Sequence, residues 1–402
     1  MSSALAPLRA APRLPRTVKL LGAVSLLNDF ASEMIYPLLP AFMTGVLGAG
    51  PQALGALDGA AEFAASVVKF GAGRFADRRS RRGPLVVLGY AIAVLVRPII
   101  ALTGAAWQVI GLRVVDRIGK GIRTPPRDAV VADVTPPELR GHAFGLQRGM
   151  DHAGAVLGPL VAWWLLTMHV AALRTVIAAS ILPGILVLAL AAWAVKGGQG
   201  RAGSGSVGPS ALASPTPLDS AHLRPPLPVL LVSLFYLVRL PETLVILRSQ
   251  QLGVAVATVP LLWAAVHVVK SATSFVGGAW SDWLGAGRTM WIGWVCYAAF
   301  AVGLALAQTA AHAWLLFLAL GSVAGLTESP ERALVARLAG NRQGSGFGSY
   351  HAVTGLAALV GGVALGVLYQ GHGARVAFAA SAAGAGALAL LWPLAARETA
   401  PR

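Results

Sequence analysis

Apolar residues along this chain come in long runs, without the alternation of a half-buried strand. A helix needs about 20 apolar residues to cross the hydrocarbon core of a bilayer. Runs of that order, punctuated by Gly, Pro or charge, occur twelve times: 18–47, 52–75, 84–104, 106–131, 141–167 and 172–195, then 227–252, 255–281, 289–308, 311–338, 344–370 and 374–396. Membrane β-strands would alternate over roughly ten residues, and these runs do not. The pattern predicts an all-α integral membrane protein with twelve transmembrane helices.

Between spans 6 and 7 the pattern stops. Residues 196–228 open with Lys196-Gly197-Gly198 and continue rich in Gly, Ser and Pro, a composition that cannot bury a core and reads as a linker. The chain therefore divides into a six-helix bundle over 1–195, a linker over 196–228 and a second bundle over 229–402. The halves share sequence. Thr124-Pro125-Pro126-Arg127-Asp128-Ala129 matches Glu328-Ser329-Pro330-Glu331-Arg332-Ala333 about half the chain later. Gly158 matches Gly361, and Glu33 in span 1 matches Glu242 in span 7, at nearly the same offset. Two parallel repeats imply a site at their interface, near the bilayer midplane.

Composition agrees with the pattern. Of 402 residues, 56% are hydrophobic and only 12% charged, and the mean hydropathy is +0.68, outside the range of ordinary soluble domains. The net charge of +16 would suggest nucleic acid in a soluble protein. Here the basic residues sit in the tail (Arg9, Arg13, Arg16), in 74–82, in the linker and around Arg288, Arg337, Arg342 and Arg397. Among the alternate loops only Arg174 and Arg375 break the pattern, so the positive-inside rule places both termini and the linker in the cytoplasm. No nucleic-acid partner is expected. The basic start and the long run after it read as an uncleaved first span. One cysteine, Cys296, excludes a disulfide framework and a cysteine metal site. No cofactor or metal is expected.

The densest charge in the chain is Gly73-Arg74-Phe75-Ala76-Asp77-Arg78-Arg79-Ser80-Arg81-Arg82, a loop that cannot sit in hydrocarbon. Its G-x-x-x-D-R-x-x-R-R spacing resembles the signature loop between helices 2 and 3 of the major facilitator superfamily. A weaker copy, Gly278-Ala279-Trp280-Ser281-Asp282 ending at Arg288, lies about half the chain downstream. The resemblance covers essentially the whole chain. It implies that Asp77 bonds across to the neighbouring bundle and closes the cytoplasmic side, with Gly73, Arg78, Arg81, Arg82, Asp282 and Arg288 in the same gate. The plainer reading, a pure orientation signal, accounts for the arginines but not for Asp77.

Charges inside the spans are the candidate chemistry. A charged side chain at the bilayer centre costs on the order of 2.5–3.5 kcal/mol on insertion scales, so it faces a cavity or a partner. In span 1, Asn28, Asp29 and Glu33 stand together, with Asp29 and Glu33 one helical turn apart. Glu33 and Glu242 lie near the middle of their spans, Arg239 close by. Either carboxyl suits a proton carrier, and either could instead be a permanently paired ion. In span 4, Arg113, Arg117 and Lys120 form a stripe that Arg123 and Arg127 continue. Asp116 and Lys120 are spaced to pair, while Arg127, Asp128, Glu331 and Arg332 read as gate pairs. Arg117-Ile118-Gly119-Lys120-Gly121 resembles the family's R-x-x-x-G motif, whose arginine is linked to proton transfer. Gly154-Ala155-Val156-Leu157-Gly158-Pro159 resembles the G-x-x-x-G-P motif of proton antiporters, with small residues for close packing. Arg148, Asp151, His267, Glu328, Tyr350 and His351 complete the candidate cavity, with Arg148 and Asp151 spaced as a structural pair.

These features favour a proton-coupled secondary transporter, a monomer in a bacterial inner membrane, that exports a small organic solute or drug by proton antiport. The basic stripe of span 4 favours the alternative, uptake of an organic anion or zwitterion. A non-transporting receptor on the same fold is a remoter alternative. No G-x-x-x-x-G-K-[ST] occurs, so drive by ATP is unsupported, and no nucleophile–base constellation suggests an enzyme.

Overall fold

The computed structural model describes residues 14–76, 79–136, 139–199, 227–339 and 343–396, almost all of them helical. The first half holds α1 (Arg16–Ile35), α2 (Pro51–Ala76), α3 (Arg79–Ile99), α4 (Ala106–Val134), α5 (Arg140–Thr167), α6 (Leu173–Ala179) and α7 (Ile181–Gln199). The second holds α8 (Leu227–Val238), α9 (Glu242–Gln251), α10 (Val259–Leu284), α11 (Ala286–Leu306), α12 (Ala310–Ala339) and α13 (Gln343–Ala396). A non-helical residue, Gly373 with φ +82°, breaks α13 into two arms. Seven stretches among the described residues are long and apolar enough to cross a membrane. Helix α4 falls outside that set because Arg113, Asp116, Arg117 and Lys120 occupy its middle.

Two expected spans are interrupted. After Ile35 the chain narrows to a 3-10 turn at Tyr36–Leu38 and later widens to a π-turn at Phe42–Val46. Pro37 and Pro40 lie here, and neither can donate the bond a regular turn needs. Span 7 opens fully between α8 and α9: Arg239, Leu240 and Pro241 leave the helix, and α9 starts at Glu242. Prolines in the helix interior remove one donor and clash with the preceding turn. The break carries Arg239 and Glu242 to the edge of the central cavity.

The halves repeat one packing plan. In the first, α1 packs on α5 and α2 on α4; in the second, α8 packs on α13 and α10 on α12. The same device holds both. A Cβ on Gly158 would lie 2.2 Å from the Phe30 carbonyl oxygen, and one on Gly361 would lie 2.1 Å from that of Leu237. Only glycine allows backbones so close. Gly154 likewise meets the Leu26 backbone, so both glycines of the helix-5 motif serve packing.

Two seams join the halves, α2 against α13 and α5 against α10. On the first, Gly55 faces Gly362 backbone to backbone, and Gly59 and Gly366 extend the contact. The end of the molecule that carries the turns after Val46, after Gln251 and at Gly373 is here called distal. There a single apolar cluster runs across both halves, joining Phe42, Leu54 and Leu57 to Leu244, Trp263 and Phe317.

Overpacking a tight contact costs typically 1–3 kcal/mol. Gly158→Val and Gly361→Val should each lower the unfolding temperature of purified protein by several degrees. Gly149→Ala, on the same helix as Gly158 with open space around it, should leave it unchanged. Equal melting of all three would refute the shared packing device.

Candidate functional site

Helix α4 presents two polar faces. Arg113, Arg117, Lys120 and Thr124 follow each other at helical spacing and line a central cavity. Asp116 and Arg123 turn the other way, into the first half. Asp116 is buried, and both its oxygens are taken: Arg97 Nε donates at 3.0 Å and Arg113 Nη1 at 3.1 Å. Arg97 Nη1 also donates to the Asn28 carbonyl at 2.9 Å and its side-chain oxygen at 3.1 Å, which ties α3 and α4 to α1. Asn28 in turn donates to Asp29 at 2.9 Å. Arg123 donates to the Gly89 carbonyl at 3.2 Å and stacks over Tyr90. Arg127 is held by Asp128 at 2.9 Å and donates to Ser25 of α1 at 3.1 Å. Buried ions survive in this setting because each is paired or hydrogen-bonded.

Across the halves, the contacts gather at and above one level. Asp58 of α2 accepts from the Thr243 backbone N–H at 3.0 Å, the Thr243 hydroxyl at 2.8 Å and the Tyr36 hydroxyl at 3.0 Å. The Thr243 hydroxyl also reaches the Leu54 carbonyl at 3.1 Å, and the Tyr36 hydroxyl reaches Glu242 at 3.5 Å. Thr243 opens the first turn of α9, where unpaired N–H groups face outward to accept an anion. One turn before Tyr36, Glu33 accepts from Trp263 Nε1 at 3.0 Å, and His267 Nε2 stands 4.0 Å away. Gln370 receives a hydrogen bond from the Gln52 backbone at the distal rim. These side-chain hydrogen bonds between the halves lie at the distal end or at the level of Glu33.

Below this seal lies a cavity of about 690 Å³, walled by both halves. Seven lysines and arginines and five carboxylates line it, so its formal charge is positive. Lys270 is engaged by Glu328 at 2.6 Å. Tyr36, Tyr236 and Tyr350 supply flat apolar wall.

Of the residues expected in a cavity, Lys120, Arg148, Arg239, Glu328, Tyr350 and His351 line it, as do Arg117, Glu242 and Glu331. Asn28, Asp116 and Arg123 belong to the core of the first half, and Asp116 takes two arginines rather than Lys120. Glu331 is buried on the cavity wall rather than in a terminal gate. No ion pair joins Arg148 to Asp151 among the described residues. Arg82 pairs with Asp133 within the first half, and Arg288 is exposed at the start of α11. Asp77 and Arg78 lie outside the described residues; Gly73, Arg81, Asp282 and Arg332 lie on helices, their side chains outside the description. Sequence reasoning missed Asp58, Arg97, Thr243 and Trp263. Asp58 and Arg97 are charges inside apolar runs, and that signal was open to reading.

Each hydrogen bond lost from the Asp58 cluster costs about 1 kcal/mol, with more where a buried acceptor is stranded. Thr243→Val removes the one hydroxyl donor shared by Asp58 and the Leu54 carbonyl and should loosen the distal seal by about fivefold or more. The check is labelling of Ala61→Cys, on the cavity wall, by a hydrophilic maleimide added from the distal side, in a Cys296→Ser background. An unchanged rate would show that the seal does not depend on this cluster.

The model of the Major Facilitator Superfamily matches residues 21–342 and again 240–402. An uncharacterised MFS-type transporter of Methanocaldococcus jannaschii is 28% identical over 364 residues, 89% of each chain. The multidrug resistance protein MdtH of Photorhabdus laumondii is 31% identical over 133 residues, 33% of each chain. Among solved structures, a D-xylose–proton symporter superposes with a TM-score of 0.67 at 16% identity, over 93% of this chain and 95% of the other. The long apolar helices, the repeated halves and the cavity between them accord with these matches, and the chain belongs to the Major Facilitator Superfamily, whose members carry small molecules across membranes and are not enzymes.

Proposed function

We propose that the chain is a twelve-span, proton-coupled secondary carrier working by alternating access, with both termini in the cytoplasm of a bacterial cell, in its inner membrane. It acts as a monomer and exports a small organic solute by proton antiport. The observation that carries the coupling is Glu33. This carboxylate of the first half accepts a hydrogen bond from Trp263 and faces His267, both in the second half. Charge-assisted bonds are about twice as strong as neutral ones. A proton on Glu33 removes that advantage, and the two halves then part more readily at this level. Protonation thereby biases a two-state element, which is what coupling requires.

Direction and sidedness rest on the basic loops. The positive-inside rule assigns the 74–82 loop and the linker to the cytoplasm. The distal end is then external, the Asp58 cluster forms the outer gate, and the cavity serves solutes from inside. The 31% likeness to a multidrug resistance protein over part of the chain supports export. A second reading, proton-coupled uptake of an organic anion, is favoured by the excess of cations on the cavity wall.

The test uses proteoliposomes with a trapped pH dye, an imposed pH gradient, and organic anions, zwitterions and cations added in turn. One solute class should collapse the gradient, and the sign of the change separates antiport from symport. Glu33→Gln should abolish gradient-driven flux while solute exchange persists. Driven flux at the wild-type rate in Glu33→Gln would remove the proton role.

A further inference from the structure

Most charged groups in the centre of this molecule are accounted for. Asp116 is saturated by two arginines, Asp58 is filled by Thr243 and Tyr36, and Lys270 holds Glu328. Arg113 is different. The residue is only 3% exposed, and only Nη1 is engaged, by Asp116. Nε and Nη2 have no hydrogen-bond partner among the described residues. Those two nitrogens are neighbours on one edge of the guanidinium plane. Their hydrogens point the same way, as the fork that grips both oxygens of a carboxylate or phosphate.

The surroundings say what the fork is for. Arg113 is on the cavity wall, and Arg117 follows one turn on, also facing the cavity. Arg239 lines the same space from the helix break in the opposite half. Neither Arg117 nor Arg239 closes an ion pair within 4 Å among the described residues. The nearest internal candidate for the fork is Glu33, which lies within electrostatic reach of Arg113. Its carboxylate is instead turned to Trp263 and His267 of the other half. Glu62, Glu242 and Glu331 share the cavity, yet the lysines and arginines outnumber the carboxylates. The ring of Tyr36 lies 4.9 Å from the Arg113 guanidinium carbon and roofs the fork. The Tyr36 hydroxyl is in turn tied to Asp58 in the seal.

We infer that Arg113 is the oxyanion anchor of the transported solute, a small organic carboxylate or phosphate with a flat apolar body. The fork of Arg113 takes two oxygens, Arg117 adds a second charge from the same face, and Arg239 reaches the anion from across the cavity. The tyrosines of the wall cover the apolar part. Tyr36 must tilt to admit the head group, so loading and the state of the distal seal are linked through one side chain. The inference rests on the carrier reading but not on its proton coupling, and it selects the anionic solute class.

The experiment measures binding to purified full-length protein in nanodiscs, by calorimetry at low salt. The probes are benzoate, phenyl phosphate, neutral benzamide and benzylammonium. Benzoate or phenyl phosphate should bind, the tighter of the two naming the head group, and the neutral and cationic probes should not. Arg113→Lys keeps a charge near Asp116 but has no fork, and should weaken anion binding about tenfold or more. Arg239→Gln, outside the buried Asp116 assembly, should weaken it too and covers the case in which Arg113→Lys fails to fold. Benzamide binding as well as benzoate, or full-strength benzoate binding to a folded Arg113→Lys or to Arg239→Gln, would overturn the inference. Proton flux followed in parallel keeps the two readings apart. Anions that bind without moving protons sink the coupling alone, and protons driven by benzylammonium with no anion binding sink the anion anchor alone.

Discussion

One carboxylate between two guanidiniums, Asp116 with Arg97 and Arg113, sets the character of the first half. Such a group cannot meet lipid and is costly anywhere in the core unless every oxygen is used. Both oxygens are used, and the requirement fixes α3, α4 and α1 against one another through Asn28. The assembly is also unbalanced, with two cations to one anion. The surplus charge lies with Arg113, buried in the wall of the central cavity. A structural ion pair in the core thus places a cation beside the central cavity.

The second half achieves a similar result by other means. It breaks its first span at Pro241 and brings Arg239 and Glu242 to the cavity through that gap. Broken spans are tolerated where the freed backbone lines a cavity rather than lipid. The freed N–H of Thr243 goes to Asp58 of the other half, so the break contributes to the seal as well as to the wall. Two halves with one packing plan therefore hold their charges differently, one by paired arginines and one by an opened helix.

Much of this was legible in the residues. Long apolar runs and the half-chain repeats prescribe the helical architecture, because only helices of that length satisfy their backbone in lipid; of the expected linker, 196–199 and 227–228 are helical and 200–226 lie outside the described residues. The match of Gly158 with Gly361 in the sequence corresponds to like backbone contacts, each against a carbonyl oxygen of the half's first helix. The partners were less legible. Spacing along α4 suggests Asp116 with Lys120, yet Arg97, on another helix, takes the carboxylate, since local spacing says nothing about which neighbour a helix face will meet. Asp58 escaped notice because its main partners are a hydroxyl and a backbone N–H in the other half, neither marked by charge. The contact between halves was equally visible as Gly55-x-x-x-Gly59 and Gly362-x-x-x-Gly366, but in a chain rich in glycine and alanine that spacing alone has little contrast.

The seam between α2 and α13 has a mechanical consequence. Most helix interfaces interlock, ridges seated in grooves, and sliding one past the other means climbing from notch to notch. Here Gly55 faces Gly362, and from Gly55 to Gly59 backbone lies on backbone with little side chain to catch. Such a surface behaves as a plain bearing. It keeps the two bodies in contact while offering little resistance to a small roll or slip, and it concentrates the holding force in the few polar latches at the distal rim.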